Sequence, residues 1–347
     1  MSSVDKASSG AVAHLGGWLA EGLLEVSDAP AALDSGGRWA VVVTFEGAAR
    51  LARFARWRRA PLPSGPAWSG PPRTAWTSSL DQEGYTAAVR EVRRRIALGT
   101  VYQVNVCRVM SAPLPGAVGG SADLVPLARL LRSRHPAPYG GVVRLPVHGV
   151  HVATASPELF LRRSGDLVES APIKGTGRTA ADLADKDVAE NIMIVDLVRN
   201  DLSRVCRPGT VAVRDLLDME KHPGLVHLVS TVSGRLRPGA GWAELLEAAF
   251  PPGSVTGAPK STAVHAVEDL EPVPRGPYCG AVGWVDADAG TAELAVGIRT
   301  FWVDGDRLCF GTGAGITWGS DPEQEWAETE LKAERLVGLA SRHEGGP

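Results

Sequence analysis

Residues 278–311 read YCGAVGWVDADAGTAELAVGIRTFWVDGDRLCFG. Three apolar runs, Tyr278–Val285, Ala292–Phe301 and Leu308–Gly311, are separated only by Asp/Gly/Ala turn segments. Runs of this kind read as strands. Strands so close in sequence favour antiparallel sheets with helices outside, an α+β layout. Working outward, Gly149–Thr154 and Val101–Val109 also read as strands. Helical spacing fits Asp187–Val205, Gly241–Ala249, Ser261–Leu270 and Glu323–Ala340. A further helix carries Tyr85, Val89, Val92 and Ile96 on one stripe, with Asp81 near its start and Gly99 as its stop. The run Trp39–Phe45, bounded by Gly37 and Gly47, reads as a strand, and the Pro/Gly-dense segment Ala60–Trp76 as a linker or surface loop. The expected division is a short N-terminal region, 1–76, and a catalytic domain, 77–347. There is no internal repeat.

With 347 residues, 44% of them hydrophobic, the chain is long enough to bury a substantial core. A formal net charge of −3 gives no electrostatic reason to expect nucleic acid. The cluster Arg53, Arg56, Arg58 and Arg59 reads as a solvated face. Cys107, Cys206, Cys279 and Cys309 are too scattered for a zinc knuckle or a disulfide framework, so reduced thiols are expected. The polar start MSSVDKASSG does not resemble a signal peptide, and no apolar stretch is long enough to span a bilayer. The expected location is the cytoplasm, with no membrane partner.

Two phosphate-loop look-alikes fail on spacing. In Gly253–Thr262, Ala258 and Pro259 separate the glycine from Lys260. Gly311-Thr-Gly-Ala-Gly315 follows a strand, but no helix follows it.

The chemistry-bearing residues are spread along the chain. Asp187 and Glu190 share one helix face, as do Glu325, Glu328 and Lys332. Two such faces converging would make an oxygen-lined site suited to magnesium; taken singly, each is an ordinary solvated face. Lys174, in PIKGT, has apolar neighbours and a glycine beside it, surroundings in which a desolvated amine becomes nucleophilic. An exposed loop lysine is the plainer alternative. Arg299 ends an apolar strand, where a guanidinium calls for a carboxylate partner, with Tyr278 on the neighbouring strand. Glu158 lies between a proline and two apolar residues, surroundings that favour a general acid. His227, taken alone, reads as a hydrogen-bonded core histidine.

Together the blocks SPELF (156–160), PIKGT (172–176), AENIMIVDLVRNDL (189–202), HLVSTVSGRL (227–236), PPGSVTGAPK (251–260), RGPYCGAVGW (275–284), GIRT (297–300), GAGI (313–316) and EWAETELKA (325–333) resemble the chorismate-utilising enzymes in the family's order. That family includes anthranilate synthase component I, aminodeoxychorismate synthase component I and isochorismate synthase. The resemblance implies an α+β fold of four layers, α/β/β/α, with two packed, mainly antiparallel sheets and a cleft between them. It implies that Glu190 and Glu328 ligate magnesium, supported by Glu325 and Asp187. The ring carboxylate of chorismate would be assisted by Lys332 and by backbone NH groups around Gly175, Thr176 and Gly315. Arg299, Tyr278 and the Gly313 backbone would take the enolpyruvyl carboxylate. Glu158 would protonate the departing C4 hydroxyl, and His227, Ser254 and Thr256 would line the pocket. A lysine at position 174 implies an aminodeoxychorismate synthase, acting through a lysine adduct at C2. Anthranilate synthase component I and a non-catalytic chorismate-binding subunit are the alternatives. With no G-x-C-x-G glutaminase segment in the sequence, a separate glutamine amidotransferase is the implied partner, and an aminodeoxychorismate lyase the implied downstream enzyme. The short N-terminal region implies that the family's tryptophan-binding regulatory region is missing or vestigial.

Overall fold

The computed structural model describes residues 10–114, 122–177, 185–222 and 225–341. Among these are eighteen strands, joined by antiparallel pairing into one continuous ladder. It begins with β12 (Ala212–His222) on β13 (Leu225–Arg235), whose other edge carries β11 (Ile173–Gly177) and β10 (Leu167–Ala171) end to end. From β10 it runs through β9 (Leu159–Ser164), β16 (Thr291–Val296) and β15 (Ala281–Asp286) to β3 (Arg38–Val43) and β4 (Ala49–Arg59). It continues through β2 (Trp18–Ser27), β1 (Val12–Leu15), β7 (Tyr139–Leu145) and β8 (Val150–Ser156). Next come β17 (Thr300–Asp304), β18 (Arg307–Ile316) and β6 (Gln103–Pro113), the last also bonded to β5 (Thr77–Ser78) and β14 (Gly257–Ala258). The α+β expectation holds. Where two separate sheets were expected, hydrogen bonding gives a single ladder that takes in the N-terminal strands β1–β4.

Among the described residues six α-helices flank the ladder: α1 (Gln82–Ala97), α2 (Val125–Arg134), α3 (Asp185–Ser203), α4 (Trp242–Ala249), α5 (Lys260–Leu270) and α6 (Pro322–Ala340). Helix α1 starts where expected because the Asp81 carboxylate accepts from the Gly84 amide, an N-cap that satisfies an orphan donor. Its stripe, Tyr85, Val89 and Val92, is fully buried. The two principal apolar clusters are one around Trp39, Leu51, Val104, Leu161 and Leu294 and another of Leu127, Leu131, Phe301, Phe310 and Leu336 beneath α2 and α6. Burial of each such side chain contributes on the order of 2 kcal/mol. The Pro/Gly-rich segment crosses the surface with one short 3-10 turn, pinned by Trp68 Nε1 donating to the Ala340 carbonyl at 2.7 Å. All four cysteines are free and buried. Among the described residues no helix is long and apolar enough to cross a membrane.

The expected strand Ala292–Phe301 is in fact two. β16 pairs with β9 and β15, whereas β17 pairs with β8 and β18, so the chain changes place in the ladder across Gly297–Arg299. Arg299 itself takes the left-handed conformation, φ +52°. The β8–β9 connection makes the same change beside it, at Pro157-Glu158. The two crossings are laced together: the Ala155 amide donates to the Arg299 carbonyl at 3.0 Å, and the Val296 amide to the Glu158 carbonyl at 3.0 Å.

Candidate active site

Both crossings deliver a charged side chain to one place. Glu158 is 4% exposed, and its Oε1 has no hydrogen-bond partner. Burial pushes its carboxyl up to about 7, opposed by Ser254, Lys174, the Ile173 backbone and Arg299, which favour the ionised form. Glu158, Lys174, Ser254 and Arg299 therefore form one electrostatic cluster. Among the described residues no carboxylate makes a salt bridge with Arg299; burial lowers its guanidinium below the arginine range, and Glu158 partly offsets this.

Lys174 is aimed by a bulge. Ile173 opposes Val229 and Thr176 opposes His227, so two residues of β11 face one of β13. Gly175 supplies the φ of +81° that the bulge requires, the physical reason for the Lys-Gly pair in PIKGT. The amine lies 3.8 Å from Glu190 Oε2 on α3. Asn191, next along that helix and fully buried, donates to the Leu228 carbonyl at 3.2 Å and accepts from Ser230, locking α3 onto β13.

Across the cleft stands β18. A Cβ on Gly315 would lie 3.4 Å from Lys174 Nζ and 2.3 Å from Gln103 Nε2. The ladder has therefore curled until β11, near one end, faces β18, near the other. Two residues along, the Gly313 carbonyl accepts from Lys332 Nζ at 3.1 Å, and the same amine is 2.6 Å from Glu328 on α6. Contacts thus run from Glu190 through Lys174, Gly315, Gly313 and Lys332 to Glu328. Glu325 is buried on α6; with burial foremost and Cys107 next, it and Glu328 help push the Tyr85 hydroxyl up.

Ser254 and Thr256 are buried in the 253–256 turn, where the Thr256 hydroxyl donates to the Pro252 carbonyl at 2.7 Å. Residues absent from the sequence-derived set hold that turn. Lys260 Nζ donates to Asp201 Oδ2 on α3 at 2.6 Å and to the Ala249 carbonyl at 3.0 Å. Arg275, 1% exposed, donates to the Val255 and Asn105 carbonyls and pairs with Glu271. Burial raises Asp201 to about 6 against the opposing pull of Lys260. A small void of about 10 Å³, room for about one water, is bounded by both Glu158 and Asp201. The signal for these residues was the polar tail of each block, RNDL and GAPK.

Tyr278 is buried with its ring packed on Gly311 and its hydroxyl 4.0 Å from Cys107 Sγ. The side chains of Asp187, Thr176 and His227 lie outside the described residues. A wider cleft of about 580 Å³ opens elsewhere, between Val42, Arg50, Val109, Trp302 and Arg307; none of the sequence-derived site residues lines it. Among the described residues no three His, Cys, Asp or Glu side chains gather as a ready metal cage. The donors at the cleft, Glu190 and Glu328, are hard carboxylate oxygens, each now neutralised by a lysine. That donor chemistry fits magnesium, which takes one or two carboxylates and leaves other positions to substrate.

Residues 40–338 match the family described as chorismate binding enzyme. The chain belongs to this family. Over 319 residues this family member is 38% identical to anthranilate synthase component 1 of Streptomyces coelicolor, a match covering 85% of this chain and 60% of that protein. It is 39% identical over 275 residues to the aminodeoxychorismate synthase of Streptomyces pristinaespiralis, covering 75% of this chain and 37% of that one. The match thus spans less than two thirds of the length of either relative. The menaquinone-specific isochorismate synthase of Escherichia coli has the same fold, with a TM-score of 0.78 at 18% identity over 99% of this chain and 92% of that one.

If the site acts on chorismate as its family's name suggests, Gly315→Ala is expected to cut kcat/KM about 10²-fold, since the methyl displaces Gln103 and crowds Lys174. Gly319→Ala, with nothing within 4 Å, is the control. Equal kinetics for the two variants would remove Gly315 from the site.

Proposed function

We propose that the chain is the chorismate-aminating component of an aminodeoxychorismate synthase, converting chorismate and ammonia to 4-amino-4-deoxychorismate. The observation that carries this reading is the Lys174 amine, raised on its bulge into the cleft beside Glu190 and electrostatically coupled to Glu158. In this reading the Lys174 amine attacks C2 of the ring while Glu158 gives a proton to the C4 hydroxyl, which leaves as water. The amine's own proton is released as the C–N bond forms. Ammonia then adds at C4, both ring double bonds shift back, and the lysine is expelled as the amine, taking up a proton as the added ammonia loses one. Ammonia enters and water leaves, with no redox change. A carboxyl titrating at about 7 is suited to this role, since general acids work best with a pKa near the operating pH.

Glu190 and Glu328, with Glu325 and Asp187 in support, would hold a magnesium ion. When bound, it would supply positive charge toward the ring carboxylate, with Lys332 beside it. Arg299 would take the enolpyruvyl carboxylate by a charge-assisted pair. Ammonia would come from a separate glutamine amidotransferase, and an aminodeoxychorismate lyase would consume the product. The four-layer α/β/β/α arrangement belongs to the same reading, with the β11 and β18 stretches of the ladder facing each other across the cleft.

The identity to anthranilate synthase component 1 favours a second reading, amination at C2 to give anthranilate. Product analysis separates the two. Protein, chorismate, magnesium and ammonium at mildly alkaline pH are expected to yield a species that added lyase converts to 4-aminobenzoate, identified by mass spectrometry. Anthranilate as the product would overturn the first reading in favour of the second. No turnover, even with an amidotransferase supplied, would leave a chorismate binder without catalysis.

A further inference from the structure

Arg299 has one polar neighbour that no reading of the sequence had placed there. His135 follows the last residue of α2 as its C-cap, with its amide donating to the Leu131 carbonyl at 2.7 Å. Its Nε2 lies 3.4 Å from Arg299 Nη1. A guanidinium only donates, so the facing ring nitrogen must be the lone-pair nitrogen, with the ring proton on Nδ1. The histidine is neutral in this pairing. Burial, reinforced by the charges of Arg299 and Arg335, agrees with this by pulling its titration down to about 4. Arg335 is drawn to the same helix end, where its Nη2 donates to the Arg134 carbonyl at 2.7 Å. The C-terminal end of α2 thus offers acceptors to two cations, as the negative pole of a helix does.

We infer that His135 is the positioning residue for Arg299: it takes one N–H of the guanidinium and so turns the remaining donors toward an incoming carboxylate. This rests on the reading of Arg299 as the group that receives a substrate carboxylate. The backbone of Arg299 is fixed by the chain crossing, and its side chain has no carboxylate salt bridge among the described residues to orient it. A neutral acceptor directs the fork without cancelling its charge, whereas a carboxylate in that place would compete with the ligand.

The test is steady-state kinetics with chorismate and ammonium on His135→Leu, His135→Gln and Arg299→Gln, each with a thermal melt. His135→Leu is expected to raise KM about tenfold with kcat nearly unchanged, because a hydrogen bond to a charged group is lost from ground and transition states alike. His135→Gln, which restores an acceptor, is expected to bring KM back to within about threefold. Arg299→Gln is expected to raise KM further than either. If Arg299→Gln leaves KM unchanged, the reading of Arg299 fails and the inference goes with it. If Arg299→Gln raises KM but His135→Leu does not, the role of His135 alone is overturned. A fall in melting temperature with no rescue by glutamine would likewise mark His135 as structural and overturn it.

Discussion

Glu158→Gln is expected to lower kcat by about 10²- to 10⁴-fold, the usual contribution of a general acid, while making the folded protein more stable at alkaline pH. Both effects follow from one observation, a carboxyl buried to 4% exposure whose titration is raised from 4.5 to about 7. A group whose folded-state pKa is raised contributes stability that is complete below pH 4.5 and is lost as pH rises through about 7. Above that, the ionised carboxylate is a net burden, approaching about 3 kcal/mol for a shift of this size. Glutamine stays neutral throughout. The variant should therefore melt close to the wild type at pH 4 and above it at pH 8.5. Wild-type kcat should in turn fall as pH rises through about 7, as the acid loses its proton. A melting difference that does not change with pH would show that Glu158 is not the buried titrating group.

Lys174→Ala is expected to abolish C4 amination, a loss of at least about 10³-fold, because the covalent route has no other nucleophile. Chorismate binding should change much less, since Arg299 and Lys332 remain. The variant also removes the Lys174 contact to Glu190 at 3.8 Å, so a modest change in stability is expected. Lys174→Arg keeps the charge but is a poor nucleophile, and should be nearly as inactive. Detection of 4-amino-4-deoxychorismate at the wild-type rate from either variant would eliminate the lysine adduct.

Most of the helices were legible from apolar periodicity; α2, many of the strands and the long-range pairing were not. The 16-residue helix α1 announces itself through Tyr85, Val89 and Val92 and the Asp81 cap. Strand β4 was missed because arginines fall on both of its faces, so that the buried Leu51, Ala52 and Phe54 do not stand out. The Arg53–Arg59 cluster, read as a solvated face, lies along that strand with Arg56, Arg58 and Arg59 exposed. The crossing at Gly297–Arg299 was read as continuous strand because apolar residues resume at Phe301 directly after it. Within the site, residues with chemistry of their own were found from their blocks: Lys174, Glu158, Arg299 and Glu190. Those that act through a distant partner were not. Asn191 matters because of Leu228 and Ser230, Asp201 because of Lys260, and His135 because of Arg299. No local pattern encodes such pairs, since each is defined only once the ladder has curled.

That curling has a kinetic side. Lys174 and the Gly315 stretch come from segments far apart in the chain and near opposite ends of the ladder, and their meeting is a long-range contact of the kind that forms late and slowly. The cleft is therefore a closure joint: every intermediate register must be in place before it exists. On the way out of the native state the order reverses. A local opening between β11 and β18 parts the lysine from its opposing wall while the strands between them keep their own pairings, so the cleft would come apart well before the chain unfolds.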